Sequence, residues 1–170
     1  LFFFFFIRYT AKNSVIQLIF LGILMLISTF NRESSALSLS LTATLLYAKF
    51  KIKMGTLIPV ALLGITFLMA YFGMRLMNES FTTNDGNLLI QNFSQPKNVL
   101  GLLFWLLFFV FSVLLAKDRK AVQNILIFHL LSTPYIVMCF YAGIIYEIRL
   151  YIPLFLCALF LSRTKIKTFE

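Results

Sequence analysis

The chain has 170 residues, of which 61% are apolar and only 12% are charged, and its mean hydropathy is +0.92. This composition excludes an ordinary soluble domain and is typical of a protein that crosses a membrane several times. A net charge of +9 would suggest nucleic-acid binding in a soluble protein. Here the basic residues lie in short segments between apolar runs, so we expect membrane topology and no nucleic-acid partner.

Apolar runs predict an all-α fold, a polytopic transmembrane helix bundle with six full spans and one partial N-terminal span. Residues 1–7 would reach only about 10 Å as a helix, against a hydrocarbon core of about 30 Å. We therefore expect residues 1–170 to be one transmembrane domain and the C-terminal portion of a longer protein. The six full spans are predicted at residues 14–30, 35–50, 54–76, 99–116, 121–145 and 150–161.

Residues 77–98 are the longest polar connection, and we expect them to form an external loop. The apolar residues at positions 88–90 and 93 predict a short helix on the membrane surface. The triplet Asn92-Phe93-Ser94 matches the acceptor pattern for N-glycosylation, as does the triplet that begins at Asn78.

Basic residues on alternate connections predict the orientation. One side carries eleven of them and the other four, so by the positive-inside rule the eleven face the cytoplasm, together with the C-terminus. The eleven are Arg8, Lys12, Lys49, Lys51, Lys53, Lys117, Arg119, Lys120, Arg163, Lys165 and Lys167, and the four are Arg32, Arg75, Lys97 and Arg149.

Small residues at four-residue spacing on the second full span, Ala36, Ser40, Thr44 and Ala48, share one helix face. Such a face lets another helix approach closely and favours packing, with a polar cavity lining as the alternative.

In the span at 121–145, Pro134 predicts a kink. In the same span we expect His129 to be hydrogen-bonded to a neighbouring helix rather than to bind a ligand.

Two cysteines, Cys139 and Cys157, lie inside apolar runs without metal-ligand or disulfide spacing. We expect them to be buried as small hydrophobic side chains, and we expect no metal site and no cofactor.

Charged residues on the predicted outer face are the candidate site: Arg32, Glu33, Arg75, Glu147 and Arg149. Guanidinium groups match phosphate oxygens in a bidentate fork, so the three arginines are candidates for binding a lipid phosphate. The two glutamates are candidate bases for a sugar hydroxyl. The alternative is that these residues pair with one another and with ordinary lipid phosphates at the membrane interface.

Two short stretches carry a family resemblance. Arg32-Glu33-Ser34-Ser35-Ala36-Leu37 resembles the basic-Glu-Thr/Ser-Ala-Leu element of polytopic GT-C glycosyltransferases and related polysaccharide-assembly membrane proteins. Arg149-Leu150-Tyr151-Ile152-Pro153 is similar to the Arg-Tyr-Leu-Leu-Pro pattern of the same group, although no second proline follows. The resemblance implies a lipid-phosphate-linked sugar donor, reaction on the non-cytoplasmic face, and a catalytic acid in an upstream external loop.

We therefore expect a glycosyltransferase or polysaccharide polymerase. Arg32, Arg75 and Arg149 would bind the donor phosphate, and Glu33 and Glu147 would be catalytic. Membrane lipid and a lipid-phosphate-linked sugar are the expected partners. Two alternatives stay open: a transporter or flippase for an anionic or lipid-linked substrate, and a non-catalytic membrane subunit.

Overall fold

The computed structural model describes residues 2–12, 14–31, 33–77 and 88–164, and the regular secondary structure of these residues consists of helices joined by turns, with no strand. The all-α prediction is therefore confirmed for the described residues. Contacts divide the chain into two compact units, the first within Leu1–Phe81 together with Ile166–Glu170, and the second over Thr82–Lys165. Each unit is described by itself below.

The first unit is built from four helices: α1 (Phe2–Lys12), α2 (Val15–Asn31), α3 (Ala36–Phe50) and α4 (Met54–Met77). A 3₁₀ turn at Glu33–Ser35 joins α2 to α3. Helix α2 packs against α1 and α4, and α3 also packs against α4. Large side chains from all four helices are fully buried, which gives the unit an apolar core: Phe6, Leu21, Met25, Leu41, Leu46 and Leu63.

The small-residue face of α3 packs inside the protein. Thr44 and Ala48 are buried, and the Thr44 hydroxyl donates to the Ser40 carbonyl of its own helix at 2.8 Å. A hydroxyl that is bonded within its own helix lets a neighbour approach without leaving a polar group unpaired. The structure thus favours the packing interpretation of this face over a polar cavity lining.

Two predicted cytoplasmic segments meet at one end of the first unit. The Lys49 ammonium group, near the C-terminus of α3, donates a hydrogen bond to the Thr10 carbonyl near the C-terminus of α1. Lys51 and Lys53 are exposed in the turn that follows α3. The basic residues of both segments therefore lie at the same end, as the alternating count requires.

The second unit is built from five helices: α5 (Leu89–Ser94), α6 (Pro96–Leu114), α7 (Arg119–Leu131), α8 (Thr133–Ala142) and α9 (Ile152–Arg163). Helices α6 and α7 pack against α9. The Lys117 backbone N–H donates to the Ser162 carbonyl at 3.1 Å, which places the α6–α7 turn beside the end of α9. Lys117 and Arg163 consequently belong to the same end of this unit, opposite the connection between α8 and α9.

Helix α5 confirms the short helix predicted at positions 88–93, and α6 begins at Pro96 rather than at residue 99. Proline is well suited to this first helical turn because its missing N–H has no partner there in any case. Residues 78–87, which include Asn78 of the other glycosylation triplet, lie outside the described residues.

Two of the described helices are long and apolar enough to cross a membrane, at Met54–Met74 and Pro96–Leu114. Helices α7 and α8 pass the same test as a pair, bent by 48°, and would make a third span. This break confirms the kink predicted from Pro134. The other three predicted spans correspond to shorter apolar helices, at Val15–Phe30, Ala36–Phe50 and Ile152–Arg163.

Gly101 on α6 lets the backbone at Ile145, in the connection between α8 and α9, approach closely, which yields a stability prediction. A Cβ atom there would overlap the Ile145 carbonyl oxygen, which is backbone and cannot rotate away. We expect Gly101→Ala to lower the free energy of unfolding by about 3 kcal/mol, the upper part of the usual range for overpacking. Thermal unfolding of the full chain in detergent measures the loss.

Gly73→Ala on α4 is the matched control, because a Cβ at Gly73 would meet nothing within 4 Å. Alanine is the better helix former by about 1 kcal/mol, so this variant should be unchanged or slightly more stable. Equal stability of the two variants would contradict the close approach at Gly101.

Cysteine labelling tests the predicted orientation, because native Cys139 and Cys157 are both buried. Ile52 is exposed in the turn after α3, and Ile148 is exposed in the connection between α8 and α9. With a membrane-impermeant maleimide and intact cells, we expect labelling of Ile148→Cys from outside and of Ile52→Cys only after lysis. The reverse pattern would contradict the positive-inside assignment.

Candidate functional site

The predicted site residues fall in both units. Glu147 and Arg149 lie in the connection between α8 and α9 of the second unit. Arg75 lies on α4 and Glu33 in the 3₁₀ turn of the first unit, but the side chains of both are outside the described part of the structure. Arg32 lies outside the described residues altogether. The grouping of all five at one site stays a prediction.

Glu147 and Arg149 form an ion pair, with 2.5 Å between Nε of Arg149 and Oε2 of Glu147. A 3₁₀ turn at Ile148–Leu150 brings the two side chains to one side of the chain. The side chain of Glu147 is 24% exposed and that of Arg149 is 72% exposed. Such an exposed pair contributes at most about 1 kcal/mol to stability. Its main effect is therefore to orient the guanidinium group.

The orientation of Arg149 has a chemical consequence. Nε is the atom that donates to Glu147, so the edge formed by the two terminal amino groups of the guanidinium is not used by this ion pair. A guanidinium has five N–H donors in a planar fork, and the terminal pair can bind two oxygens of one phosphate. The ion pair thus leaves the phosphate-binding edge of Arg149 available.

Lys97 adds a second cation to this connection. Its ammonium group lies 5.6 Å from the centre of the Tyr146 ring, on the residue just before Glu147. Lys97 sits in the first turn of α6, and this helix contains no Asp or Glu that could pair with its ammonium group. The sequence placed Lys97 on the outer face but gave no reason to select it, because its proximity to Tyr146 depends on the packing of α6 against the connection.

The Asn92 side chain, fully buried on α5, fixes the start of this connection. Its Nδ2 donates to the Phe140 carbonyl at 2.9 Å and to the Gly143 carbonyl at 2.7 Å. Its Oδ1 accepts from the Ile145 backbone N–H at 3.2 Å and from Asn98 Nδ2 at 3.4 Å. The last carbonyls of a helix have no partner within it, and here one amide supplies partners at the end of α8.

Two tyrosine hydroxyl groups hold the rest of the connection. Tyr151 donates to the Ile145 carbonyl at 2.8 Å, and Tyr135 donates to the Leu150 carbonyl at 3.1 Å. Together with the close approach of Gly101 to Ile145, these bonds fix the backbone on both sides of the ion pair. The connection is therefore a rigid support for Glu147 and Arg149, which is what a binding site requires.

The glycosylation triplet at Asn92 has a structural explanation. Asn92 is only 1% exposed, and both atoms of its amide are hydrogen-bonded. A glycan needs this nitrogen free and at the surface. In the folded chain Asn92 is therefore a structural residue, and the match to the acceptor pattern is coincidental.

The remaining candidate residues take no part in the Glu147–Arg149 ion pair. His129 is hydrogen-bonded, as predicted, but its Nδ1 pairs with the Ile125 carbonyl of its own helix at 2.8 Å rather than with a neighbouring helix. Cys139 and Cys157 are buried free thiols, in agreement with the prediction. Among the described residues, no group of three His, Cys, Asp or Glu side chains is arranged to hold a metal ion.

Comparison with known proteins gives no relative: no family model, no curated protein and no solved structure matches the chain.

Because the Asn92 amide is fully hydrogen-bonded, its replacement by aspartate, which has almost the same shape, should strongly lower the free energy of unfolding. Asn92→Asp removes the two N–H donors and sets an oxygen against the Phe140 and Gly143 carbonyls. Each buried carbonyl left unpaired costs about 1–3 kcal/mol, so we expect the free energy of unfolding to fall by about 3 kcal/mol. Thermal unfolding of the full chain in detergent checks this value.

Gln91→Glu is the control, since it makes the same amide-to-acid change on the exposed side of α5. Its effect should lie within about 0.5 kcal/mol of zero, as for most surface changes. If Asn92→Asp is no more destabilising than Gln91→Glu, the amide does not hold the connection.

Proposed function

We propose that the chain is part of a membrane-embedded glycosyltransferase or polysaccharide polymerase that uses a sugar donor linked to a lipid phosphate. In this proposal the protein has six full spans and one partial N-terminal span, its C-terminus is cytoplasmic, and the reaction takes place on the non-cytoplasmic face. The observation that carries the proposal is the exposed guanidinium group of Arg149, paired through Nε with Glu147 on a rigid connection.

Phosphate is the ligand that best matches this connection. Arg149 offers a bidentate fork, and Lys97 brings a second positive charge beside Tyr146. Electrostatic donors fixed before the ligand arrives stabilise the charge of a phosphate leaving group without reorganisation. Because the connection joins two apolar helices, a phosphate bound there would belong to a lipid headgroup rather than to a free nucleotide.

The proposed reaction breaks the bond between the sugar anomeric carbon and the phosphate oxygen of the lipid. A hydroxyl oxygen of the acceptor forms the new bond to that carbon, its proton passes to a carboxylate, and the lipid phosphate leaves with the bonding electron pair. Glu147 is the described candidate for the carboxylate, with Glu33 as the second. Arg149 would bind the leaving phosphate, together with Arg32 and Arg75.

The resemblance to GT-C glycosyltransferases supports the same assignment. The stretch that carries it, from Arg149 to Pro153, coincides with the end of the rigid connection and the first turn of α9. In the second stretch, residues 33–37 coincide with the 3₁₀ turn and the first turn of α3.

A transporter or flippase for an anionic or lipid-linked substrate is the second candidate function. The observation that favours it is the 48° break between α7 and α8, because interrupted helices line substrate sites in many transporters. A flippase would move the lipid-linked sugar across the membrane without making a covalent product, which separates it from a transferase in the same assay.

Arg149→Ala tests the proposal in the full protein, reconstituted in vesicles with a radiolabelled sugar on polyprenyl phosphate. Loss of a charge-assisted bidentate contact costs about 1.5–3 kcal/mol, so we expect sugar transfer to fall by about 10- to 100-fold. Arg149→Lys should recover only part of the activity, because an ammonium group lacks the planar fork.

Arg163→Ala is the matched control, since Arg163 is an exposed arginine at the opposite end of α9. Its transfer rate should equal that of the unmodified protein. Full transfer by Arg149→Ala would contradict the assignment of Arg149. Movement of the labelled lipid without a covalent product would instead identify a flippase, and full function after loss of the external arginines would identify a non-catalytic subunit.

A further inference from the structure

Two exposed lysines directly precede a helix that is long enough to cross a membrane. Lys51 and Lys53 are exposed in the turn after α3, and the apolar segment of α4 runs from Met54 to Met74. Its 21 residues span about 31 Å as a helix, which matches a hydrocarbon core of about 30 Å. With Met54 at the edge of this core, the two lysines lie at the level of the lipid phosphate groups.

A third exposed lysine lies at the same end of the first unit. The Lys49 ammonium group donates to the Thr10 carbonyl, which holds the end of α1 beside the end of α3. Lys12 follows Thr10 by two residues and is exposed. Lys12, Lys51 and Lys53 therefore form one cluster, the basic end of the first unit, while Lys49 joins the two helices that carry it.

The sequence of this unit supplies almost no negative charge to balance the basic end. Residues 1–77 contain one acidic residue, Glu33, and it lies in the connection at the opposite end of α3. The basic turn between α6 and α7 differs in this respect, because Asp118 lies among its cations. Within the described part of the first unit, the charge of the basic end is therefore uncompensated.

Backbone carbonyls at the end of α3 are already used inside the protein. The Tyr47 carbonyl accepts from the Lys51 backbone N–H at 2.8 Å, and the Lys51 carbonyl accepts from the Thr56 hydroxyl at 2.7 Å. The Lys51 ammonium group lies 5.4 Å from the centre of the Tyr47 ring, which carries no full negative charge. An anion for this lysine therefore has to come from outside these contacts.

The backbone of Lys51 adds an independent observation. Its φ is 59° and its ψ is −149°, a combination that glycine adopts readily and other residues rarely. Among the described residues it is the one non-glycine residue with a positive φ. A lysine at this position costs stability that a glycine would not, which indicates that its charged side chain serves a purpose other than folding.

We propose that the basic end binds the phosphate groups of anionic phospholipids, in preference to zwitterionic ones. A zwitterionic headgroup carries its own cation beside the phosphate, whereas an anionic headgroup leaves a net negative charge for the lysines. Each basic residue at such a surface strengthens binding by about fivefold. This inference concerns other residues than the proposed sugar transfer and does not depend on it.

The position of the basic end favours a lipid over a soluble polyanion. Lys53 directly precedes the apolar segment of α4, and Leu57 and Ile58 in the next turn are exposed apolar side chains. Lipid acyl chains cover such a surface, so the headgroups of the same lipids are the phosphates nearest to the lysines. A nucleic acid or an acidic protein would have to reach the lysines through that headgroup layer.

Native mass spectrometry of the full chain, released from detergent micelles, measures the preference directly. The chain would be titrated with phosphatidylglycerol or with phosphatidylcholine of the same acyl chains. We expect the apparent Kd for phosphatidylglycerol to be lower by at least about 25-fold, and the difference to shrink as ammonium acetate is raised, because salt screens surface charge. Equal affinities would overturn the proposal, as would displacement of the bound lipid by soluble glycerol phosphate.

Lys51→Gly is the sharpest variant, because glycine suits the backbone at this position. It should unfold at the same or a higher temperature than the unmodified chain, yet bind phosphatidylglycerol about fivefold more weakly. Adding Lys53→Ala should bring the loss to about 25-fold. Lys51→Arg keeps the charge and should keep the preference.

Lys120→Ala is the matched control, since Lys120 is an exposed lysine in the turn that also contains Asp118. Its affinity for phosphatidylglycerol should stay within about twofold of the unmodified chain. An unchanged affinity in the folded double variant at Lys51 and Lys53 would contradict the proposal. An equal loss in Lys120→Ala would also contradict it, because any surface lysine would then serve.

Discussion

Pairing of backbone groups in apolar surroundings is the constraint on which the second unit depends. A helix that ends inside such a medium leaves carbonyls without partners, and water is not available to satisfy them. At the end of α8 the amide of Asn92 fills this need, with two donors to carbonyls and one acceptor for a backbone N–H. These hydrogen bonds fix the backbone that leads to Glu147 and Arg149. The missing side chain of Gly101 lets α6 approach this backbone at Ile145.

At the start of α8, a hydroxyl group rather than an amide pairs the backbone. At the break between α7 and α8, the Thr133 hydroxyl replaces the N–H that Pro134 lacks, so the backbone is satisfied. The hydroxyl of Ser132 at this break, in contrast, has no hydrogen-bond partner among the described residues. At Asn92 each polar atom has a partner and the residue is structural.

The sequence was sufficient for the features that depend on local pattern. Apolar runs predicted the helices, Pro134 predicted the break, and the charged turn at Glu147 separated the last two apolar helices as expected. The sequence did not identify Asn92, because its partners lie 48 to 53 residues further along the chain and the local triplet suggested a glycosylation site instead. Lys97 was missed for the same reason. The ends of the predicted runs agree with the observed helices within three residues, but three of these helices are shorter than a full membrane span.

The weak energetics of the Glu147–Arg149 pair are themselves informative about function. An exposed ion pair adds little stability, and the connection around it is already fixed by Asn92, Tyr135 and Tyr151. The fold therefore gains little from a carboxylate and a guanidinium at this position. What the pair does provide is an exposed guanidinium whose Nε is held by Glu147 and whose two terminal amino groups are not used by the pair. A rigid support that presents a charged group already oriented lowers the entropic cost of binding, which is what the proposed phosphate site would require.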